Sequence, residues 1–112
     1  MPSVAVTMGV ATQTLVTEKL NAKIRPSAIF IDNTAAGADA SLIFNDVFTP
    51  SITNLVAVPV LQTIPRLLIN VAAGSCLSLE DDIKGCEFIG NAQIIRSVAD
   101  AGCRISFIYD LE

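Results

Sequence analysis

The sequence predicts an all-β protein, an antiparallel β-sandwich of jelly-roll type with eight or nine short strands. Short apolar runs rich in β-branched and aromatic residues recur along the chain. Turn signals containing Gly, Pro, Asn or Asp separate these runs at intervals of about ten residues, which is typical of sandwiches and small barrels. Only residues 14–23 and 92–101 have a spacing that would also suit a helix. With 112 residues, the chain is predicted to form a single domain, residues 1–112.

The strongest local pattern lies in residues 28–48. Residues 28–31 form a short apolar run that suits a strand buried on both faces, and residues 39–48 form a second strand. Between them, Asn33 and Gly37 are residue types that tolerate the left-handed backbone of a turn. The sequence therefore predicts a β-hairpin here, which supplies the third and fourth strands.

Four further segments before residue 63 are predicted from alternation and from proline. Residues 4–10 alternate as a first strand or as part of an extended N-terminal arm, residues 1–10, and residues 14–20 form a second strand. Residues 21–26 are a connector in which Pro26 ends regular pairing. Residues 54–62 form an edge or bulged strand, because Pro59 removes one ladder donor.

The second half of the chain continues the same pattern. It is divided as follows: a break at Ile64 and Pro65, a strand at 66–71, a turn at 72–75, a strand at 76–79, a polar loop at 80–85, one interrupted or two short strands at 86–89 and 92–98, and a turn at 100–102. The last strand alternates clearly, and its odd-numbered residues are predicted to face the core. These are Cys103, Ile105, Phe107, Tyr109 and Leu111.

Composition points to buried contacts with other subunits. Hydrophobic residues make up 52% of the chain and charged residues 16%, against about 25% charged residues in ordinary soluble domains. A small domain has much surface to cover, so this excess predicts an outer surface partly buried against a partner.

The net charge of −4 with scattered Lys and Arg argues against nucleic acid as a partner. The apolar run 55–61 is too short to span a membrane, and no signal peptide is predicted.

Catalytic chemistry has few candidate residues, because the chain contains no histidine. The acidic loop Glu80, Asp81 and Asp82 could bind calcium, although a solvated turn explains it more simply. Two other carboxylate groupings can be considered. They are Asp32, Asn33 and Asp39 around the hairpin loop, as a metal site or as turn caps, and Asp46 with Asp110, as a glycosidase pair. We favour turn capping for the first, and nothing in the sequence supports the second, so no catalytic, cofactor or metal site is predicted.

The three cysteines and five phenylalanines are interpreted as structural. Cys76, Cys86 and Cys103 are odd in number, lack the close spacing of zinc sites, and are expected in the core as free thiols rather than in a disulfide. The phenylalanines fall inside predicted strands and are expected to be buried. They are Phe30, Phe44, Phe48, Phe88 and Phe107.

Several segments give the chain a resemblance to a known class of proteins. They are residues 28–33 (AIFIDN) leading to 42–48 (LIFNDVF), residues 73–79 (AGSCLSL), residues 83–90 (IKGCEFIG) and residues 105–109 (ISFIY). In these segments the chain resembles the small all-β decoration, or cement, proteins of tailed-phage capsids.

The resemblance implies a non-enzymatic structural subunit without a cofactor. Such proteins are often trimeric at junctions between capsomers, where they hold the major capsid protein against internal pressure. The expected partners are therefore the major capsid protein and other copies of this chain, and the expected location is the virion surface after synthesis in the host cytoplasm. Residues 1–10 would then pair with a neighbouring chain by strand addition. The alternative is a β-sandwich that binds carbohydrate or calcium, or an accessory subunit of a complex.

Overall fold

A computed structural model describes residues 2–18, 22–49 and 61–112. These residues form eight strands and one short 3-10 turn. The elements are β1 (Ser3–Met8), β2 (Thr12–Val16), β3 (Ile24–Asp32), β4 (Ala40–Phe48), β5 (Gln62–Val71), β6 (Cys76–Leu79), the 3-10 turn Asp81–Ile83, β7 (Asn91–Arg96) and β8 (Asp100–Leu111). The all-β prediction is confirmed. Neither segment with helical spacing forms a helix within these described residues.

The strands form two packed antiparallel sheets with the order of a jelly roll. Sheet A has the order β1-β8-β3-β6, and sheet B has the order β2-β7-β4-β5. Strand β1 pairs with β8, β2 with β7, β3 with β6, and β4 with β5. This nested pairing arises when the first four strands fold back against the last four and the long hairpin rolls into two sheets. The predicted sandwich is therefore present, with its strand order now defined.

The core lies between the sheets and is built by alternation along each strand. Phe44 from sheet B packs against Phe107 from sheet A with ring centroids 6.4 Å apart, and Phe88 meets Phe107 edge-on at 6.3 Å. All three rings are fully buried, and each contributes on the order of 2 kcal/mol through the area it removes from water. The prediction for β8 is confirmed at Cys103, Ile105 and Phe107, which are buried. Towards the end of β8 the burial decreases, and Leu111 is exposed.

The predicted hairpin of residues 28–48 is wrong. Strand β3 belongs to sheet A and pairs with β6 and β8, whereas β4 belongs to sheet B and pairs with β5 and β7. The connecting residues 33–39 carry the chain from one sheet to the other. Asn33 is buried at this corner, and its side-chain amide donates to the carbonyls of Ala38 (3.2 Å) and Ala72 (3.2 Å). Ala72 is distant from Asn33 in the sequence. The turn-forming residues at 33–39 therefore did not indicate that the chain crosses here from sheet A to sheet B.

Two prolines predicted to interrupt strands lie inside them. Pro26 pairs with Tyr109 in β3, beyond the end of β6, and the register shifts between Pro26 and Ala28. Pro65 lies in the edge strand β5, where the register also shifts. Edges and bulges are the places where a sheet tolerates a missing N–H. The connector predicted at 21–26 is therefore wrong at residues 24–26, which belong to β3, and the break predicted at Ile64 and Pro65 is wrong because both lie in β5. The turn predicted at 100–102 is also wrong, because β8 begins at Asp100.

The N-terminal segment is a strand of the sandwich and not an extended arm. Residues 3–8 form β1, which pairs along one side with β8 of the same chain. The strand alternative is thus confirmed and the arm alternative is wrong for these residues. The pairing with β8 gives every second residue of β1 hydrogen-bond partners within the same chain, which an extended arm would lack.

The remaining connections follow the predictions in part. Strand β6 has the predicted bounds, and the turn before it is closed by a hydrogen bond from the Ser75 N–H to the Ala72 carbonyl (3.1 Å). Of the strand predicted at 86–89, only a bridge between Phe88 and Ile24 forms. The predicted strand at 54–62 lies outside the described residues, apart from Leu61 and Gln62. Within the described residues, the chain contains no helix long and apolar enough to cross a membrane.

Candidate interaction surface

The acidic loop after β6 is an exposed turn. The side chain of Asp81 is 95% exposed, and its nearest cation is Lys84 at 4.0 Å. In the described part of the chain, no three acidic or cysteine side chains converge as a metal site would require. The geometry of the described residues therefore favours the solvated-turn interpretation of Glu80 and Asp81 over the calcium interpretation.

The polar residues at the corner after β3 act as caps. Asp32 accepts hydrogen bonds from the N–H and the hydroxyl of Thr34, and these bonds hold the pKa of Asp32 below its usual range. Asp39 accepts from the N–H of Ala73 at 2.9 Å. Asn33 is the buried member, bonded through its amide to backbone carbonyls. Turn capping accounts for all three residues.

The two strand carboxylates considered as a glycosidase pair have separate surroundings. Asp46 is buried on sheet B and accepts hydrogen bonds from Arg66 (2.8 Å) and from the backbone N–H of Gly90 (2.8 Å). Asp110 lies on sheet A and accepts from the Ser27 hydroxyl at 3.2 Å. Since the two carboxylates lie in different sheets and have different partners, nothing here forms a two-carboxylate cleft.

The three cysteines are free thiols with different exposure. Cys103 is buried in the core as predicted, and burial raises its pKa. Cys86 is half-buried, and burial raises its pKa as well. Cys76 is exposed on β6, so the expectation of a core position is wrong for it. A thiol held protonated by burial is a weak nucleophile, so Cys86 and Cys103 fit a packing role.

The prediction that Phe30 is buried, in a strand covered on both faces, is wrong, because its side chain is exposed. Phe30 is therefore the clearest functional candidate that sequence reasoning missed. Its ring is 36% exposed on the outer face of sheet A, between Ser106 on β8 and Ser78 on β6. These small neighbours leave the ring uncovered in a shallow groove of about 560 Å³, which Asp32 and Arg104 also line. The sequence did contain a signal for this exposure. Successive side chains of a strand point to opposite faces, so Phe30 lies on the face opposite to Ile29 and Ile31. In a two-sheet sandwich only one of these faces can lie in the core.

The outer face of sheet B carries an apolar row. Register places Ile95, Ile43 and Leu68 side by side across β7, β4 and β5. Leu68 is 66% exposed and the two isoleucines are partly exposed. We call these three residues the sheet B row. Elsewhere on the described surface Val10, Leu61 and Val98 are also more than half exposed, as the composition had suggested.

A network of charged side chains joins β3 to the end of β8. Arg25 bonds Glu87 at 2.7 Å and Glu112 at 2.8 Å, and Lys23 bonds Glu87 at 3.3 Å. The hydrogen bond from Lys23 is the main reason that the pKa of Glu87 is lowered. Since opposite charges alternate here and are partly exposed, the network presents no field of one sign that would attract a phosphate backbone.

The four edge strands of the sandwich differ in how they are protected. Strand β6 is only four residues long, and β5 contains Pro65 at a register shift. Strand β2 has a register shift between Thr14 and Val16. Strand β1 has six residues without charge or proline, and its register is regular from Ser3 to Thr7. Charge, proline, bulges and shortness are the usual means of blocking an edge, so β1 is the most accessible edge.

Comparison with protein-family models, with curated proteins and with solved structures gave no significant match.

Proposed function

We propose that this protein is a non-enzymatic structural subunit that decorates a viral capsid, associates with itself and stabilises contacts between subunits of the major capsid protein. The observation that carries the proposal is the sheet B row, Ile43, Leu68 and Ile95, on the outside of a small jelly roll. Exposed apolar side chains grouped on a sheet face are typical of a surface that binds another protein. Jelly rolls are a recurrent fold of capsid proteins.

The chemistry of the described residues agrees with a binding role. The polar side chains of Asp46, Asp32 and Asp39 are occupied by backbone N–H groups or by Arg66. Their oxygens are therefore used to hold the fold, and a substrate would have to displace those bonds. Several modest apolar contacts made at once give high avidity to a capsid lattice, because each added contact is intramolecular.

Proteomic analysis of purified virus particles tests the proposal most directly. We expect the intact chain to co-sediment with assembled capsids in stoichiometric amounts, and capsids lacking it to open at lower temperature. A preparation of particles from the source that encodes this chain, complete in its other proteins but without this one, would rule the proposal out.

A matched pair of variants on β5 connects the capsid test to the sheet B row. Leu68 and Asn70 both lie exposed on the outer face of β5. Leu68→Ser should weaken binding to capsids at least about tenfold, since it removes most of an exposed leucine side chain from a desolvated contact. Asn70→Ser, at the neighbouring position, should leave binding unchanged. Equal binding by all three forms would exclude this face as the contact.

A second candidate function is the binding of a small carbohydrate at the groove around Phe30. An exposed ring between Ser78 and Ser106, with Asp32 and Arg104 alongside, combines an apolar platform with a few polar groups, as small-molecule sites do. Titration of the ¹⁵N-labelled protein with oligosaccharides tests it. Shifts confined to β3, β6 and β8, and lost in Phe30→Ala, would support this function, and an unchanged spectrum would eliminate it.

A further inference from the structure

The backbone of β1 has one side bonded to β8 and one side open. The carbonyl of Pro2 accepts a hydrogen bond from the N–H of Tyr109 at 3.1 Å. Within a strand, the N–H and C=O of one residue point to the same side, and this side alternates from residue to residue. Even-numbered residues 2–6 therefore face β8. Ser3, Ala5 and Thr7 direct their backbone groups to the open side.

The open side has a single hydrogen bond among the described residues. The side-chain amide of Gln13 donates to the Thr7 carbonyl at 3.0 Å. This contact independently supports the alternation, because it places the Thr7 carbonyl on the side away from β8. Peptide groups of Ser3 and Ala5 are left for solvent or for another strand.

We infer that the open side of β1 pairs antiparallel with β1 of a second copy of this chain, about a two-fold axis at Ala5. The inference deepens the self-association in the proposed function by naming its surface and register. In this register Ala5 lies opposite Ala5 of the second copy, and Ser3 lies opposite Thr7. Each opposed pair then exchanges both of its N–H···O bonds. The four strands of each sheet A continue as one sheet of eight.

The side chains of β1 suit their own copy. On the outer face the opposed residues are Ala5 with Ala5 and Ser3 with Thr7, which are small and uncharged. On the inner face Val4 comes beside Val6, and both already pack partly against the core. No like charges meet, and cross-strand pairs of this kind are favourable. A two-fold interface of identical patches is also closed, so it ends at a dimer and does not grow into a fibre.

The Gln13 contact is compatible with this pairing. A carbonyl oxygen has two lone pairs, so the Thr7 carbonyl can accept from Gln13 and from the N–H of Ser3 in the second copy. Strand β2, which carries Gln13, forms the edge of sheet B on the same flank, with Thr12 and Thr14 as its exposed residues. The flank that meets the second copy is therefore uncharged from β1 to β2.

Hydrogen exchange of the full chain, followed by NMR at two protein concentrations, tests the register. The amides of Ser3, Ala5 and Thr7 should exchange slowly at high concentration and at least about tenfold faster after dilution. The amides of Val4 and Val6, which face β8, should be protected at both concentrations. If all five amides behave alike on dilution, the inferred register is wrong.

Light scattering of variants tests the surface. The unmodified chain should have the mass of two subunits. Ala5→Pro removes only an outward N–H, which an edge strand tolerates, and Ala5→Lys opposes two like charges; both should be monomers with an unchanged circular dichroism spectrum. Ser78→Lys, on the same face at the opposite edge of sheet A, should remain a dimer. A monomeric or trimeric unmodified chain, or dissociation by Ser78→Lys alone, would overturn the inference.

These results can be separated from those for the proposed function. Capsid binding is measured through Leu68 on sheet B, and self-pairing through Ala5 on sheet A. A trimer that binds capsids would refute only the β1 pairing, whereas a monomer that binds capsids would refute all self-association and leave the capsid role standing. A dimer that never appears in particles would refute only the capsid role.

Discussion

Two buried polar side chains lie at opposite ends of sheet B, and they differ in how completely they are bonded. Asp46 pairs across β4 and β7 with Ala92, while Arg96 pairs with Leu42 near the other end. Asp46 accepts from Arg66, from the Ile89 N–H at 3.0 Å and from the Gly90 N–H at 2.8 Å. We call this group the Asp46 anchor.

Arg96 is bonded less completely. Its guanidinium donates to the carbonyls of Val98 and Ala38, and its closest carboxylate oxygen, on Asp100, is 4.0 Å away. Its Nε has no hydrogen-bond partner within the described residues, and neither has the side-chain oxygen of the nearby Asn33. We call this group the Arg96 corner. Here a buried charge is held mainly by neutral carbonyls.

A bulge in β5 completes the hydrogen-bond network around Asp46. Strand β5 has one extra residue opposite β4, since Phe44 pairs with Leu67 and Asn45 with Pro65. The extra residue is Arg66, and a bulge of this kind redirects a side chain, here towards Asp46. Gly90 completes the site, because a side chain there would overlap the Val47 carbonyl. At the Arg96 corner the carboxylate of Asp100 is instead bonded to the backbone N–H groups of Gly37 and Gly102, and it stays 4.0 Å from the guanidinium.

The largest effect is expected from Asp46→Ala. The substitution leaves the N–H groups of Ile89 and Gly90 without their acceptor and Arg66 without its counter-ion. We expect the free energy of unfolding to fall by about 3 kcal/mol. The cost should not be higher, since Arg66 is about one-third exposed and can turn to water. Urea denaturation measures the change.

Asp39→Ala is the matched control for this prediction. Asp39 is an exposed carboxylate that accepts one backbone N–H, from Ala73. Its replacement should cost about 1 kcal/mol or less. If both substitutions lowered the free energy of unfolding equally, the additional hydrogen bonds of the Asp46 anchor would not stabilise the fold.

A smaller effect is expected from Arg96→Met. Methionine fills much of the volume of the arginine stem, and exchanging an incompletely paired buried charge for an apolar side chain is often nearly neutral. We expect a change within about 1 kcal/mol in either direction. Arg96→Ala, which leaves a cavity, should cost about 2–4 kcal/mol. If Met were as costly as Ala in urea denaturation, then the guanidinium bonds, and not its volume, would hold this corner.

The features predictable from the sequence were those encoded by neighbouring residues. Strand β6 and the inward face of β8 followed from alternation within a few positions. The pairing of strands did not, because it is set between distant segments. Asn33 illustrates this. Its sequence context indicates a local turn, but its side-chain amide donates to the carbonyls of the distant residues Val71 and Ala72.

Side-chain environments at the sheet ends were equally hidden. Nothing near Arg96 in the sequence indicates burial, since charged residues are rarely enclosed. Its position follows from the crossover at residues 33–39, which covers it with Ala38. The redirected Arg66 likewise depends on a register shift that a single strand does not encode. The interaction surfaces were predicted only as a compositional excess of apolar residues, without their location.

The smallest effect concerns the pH dependence of the Arg96 corner. Hydrogen bonds from the N–H of Gly102 and, second, of Gly37 lower the pKa of Asp100 in the folded chain, with Arg96 adding to the shift. A group with a lowered folded pKa stabilises the protein fully above its unfolded pKa, near 3.8, and loses this contribution as the pH falls through the folded value. The contribution of Asp100 to the free energy of unfolding should therefore stay constant between about pH 5 and pH 7 and should decrease below about pH 4.

The variant Asp100→Asn tests this contribution. Its side chain does not titrate, so its urea midpoint should fall less steeply between pH 4 and pH 2 than that of the unmodified chain. Asp32 and Glu87, whose pKa values are also lowered, should supply the slope that remains. An identical acid slope in both proteins would show that Asp100 does not stabilise the Arg96 corner through its ionised form.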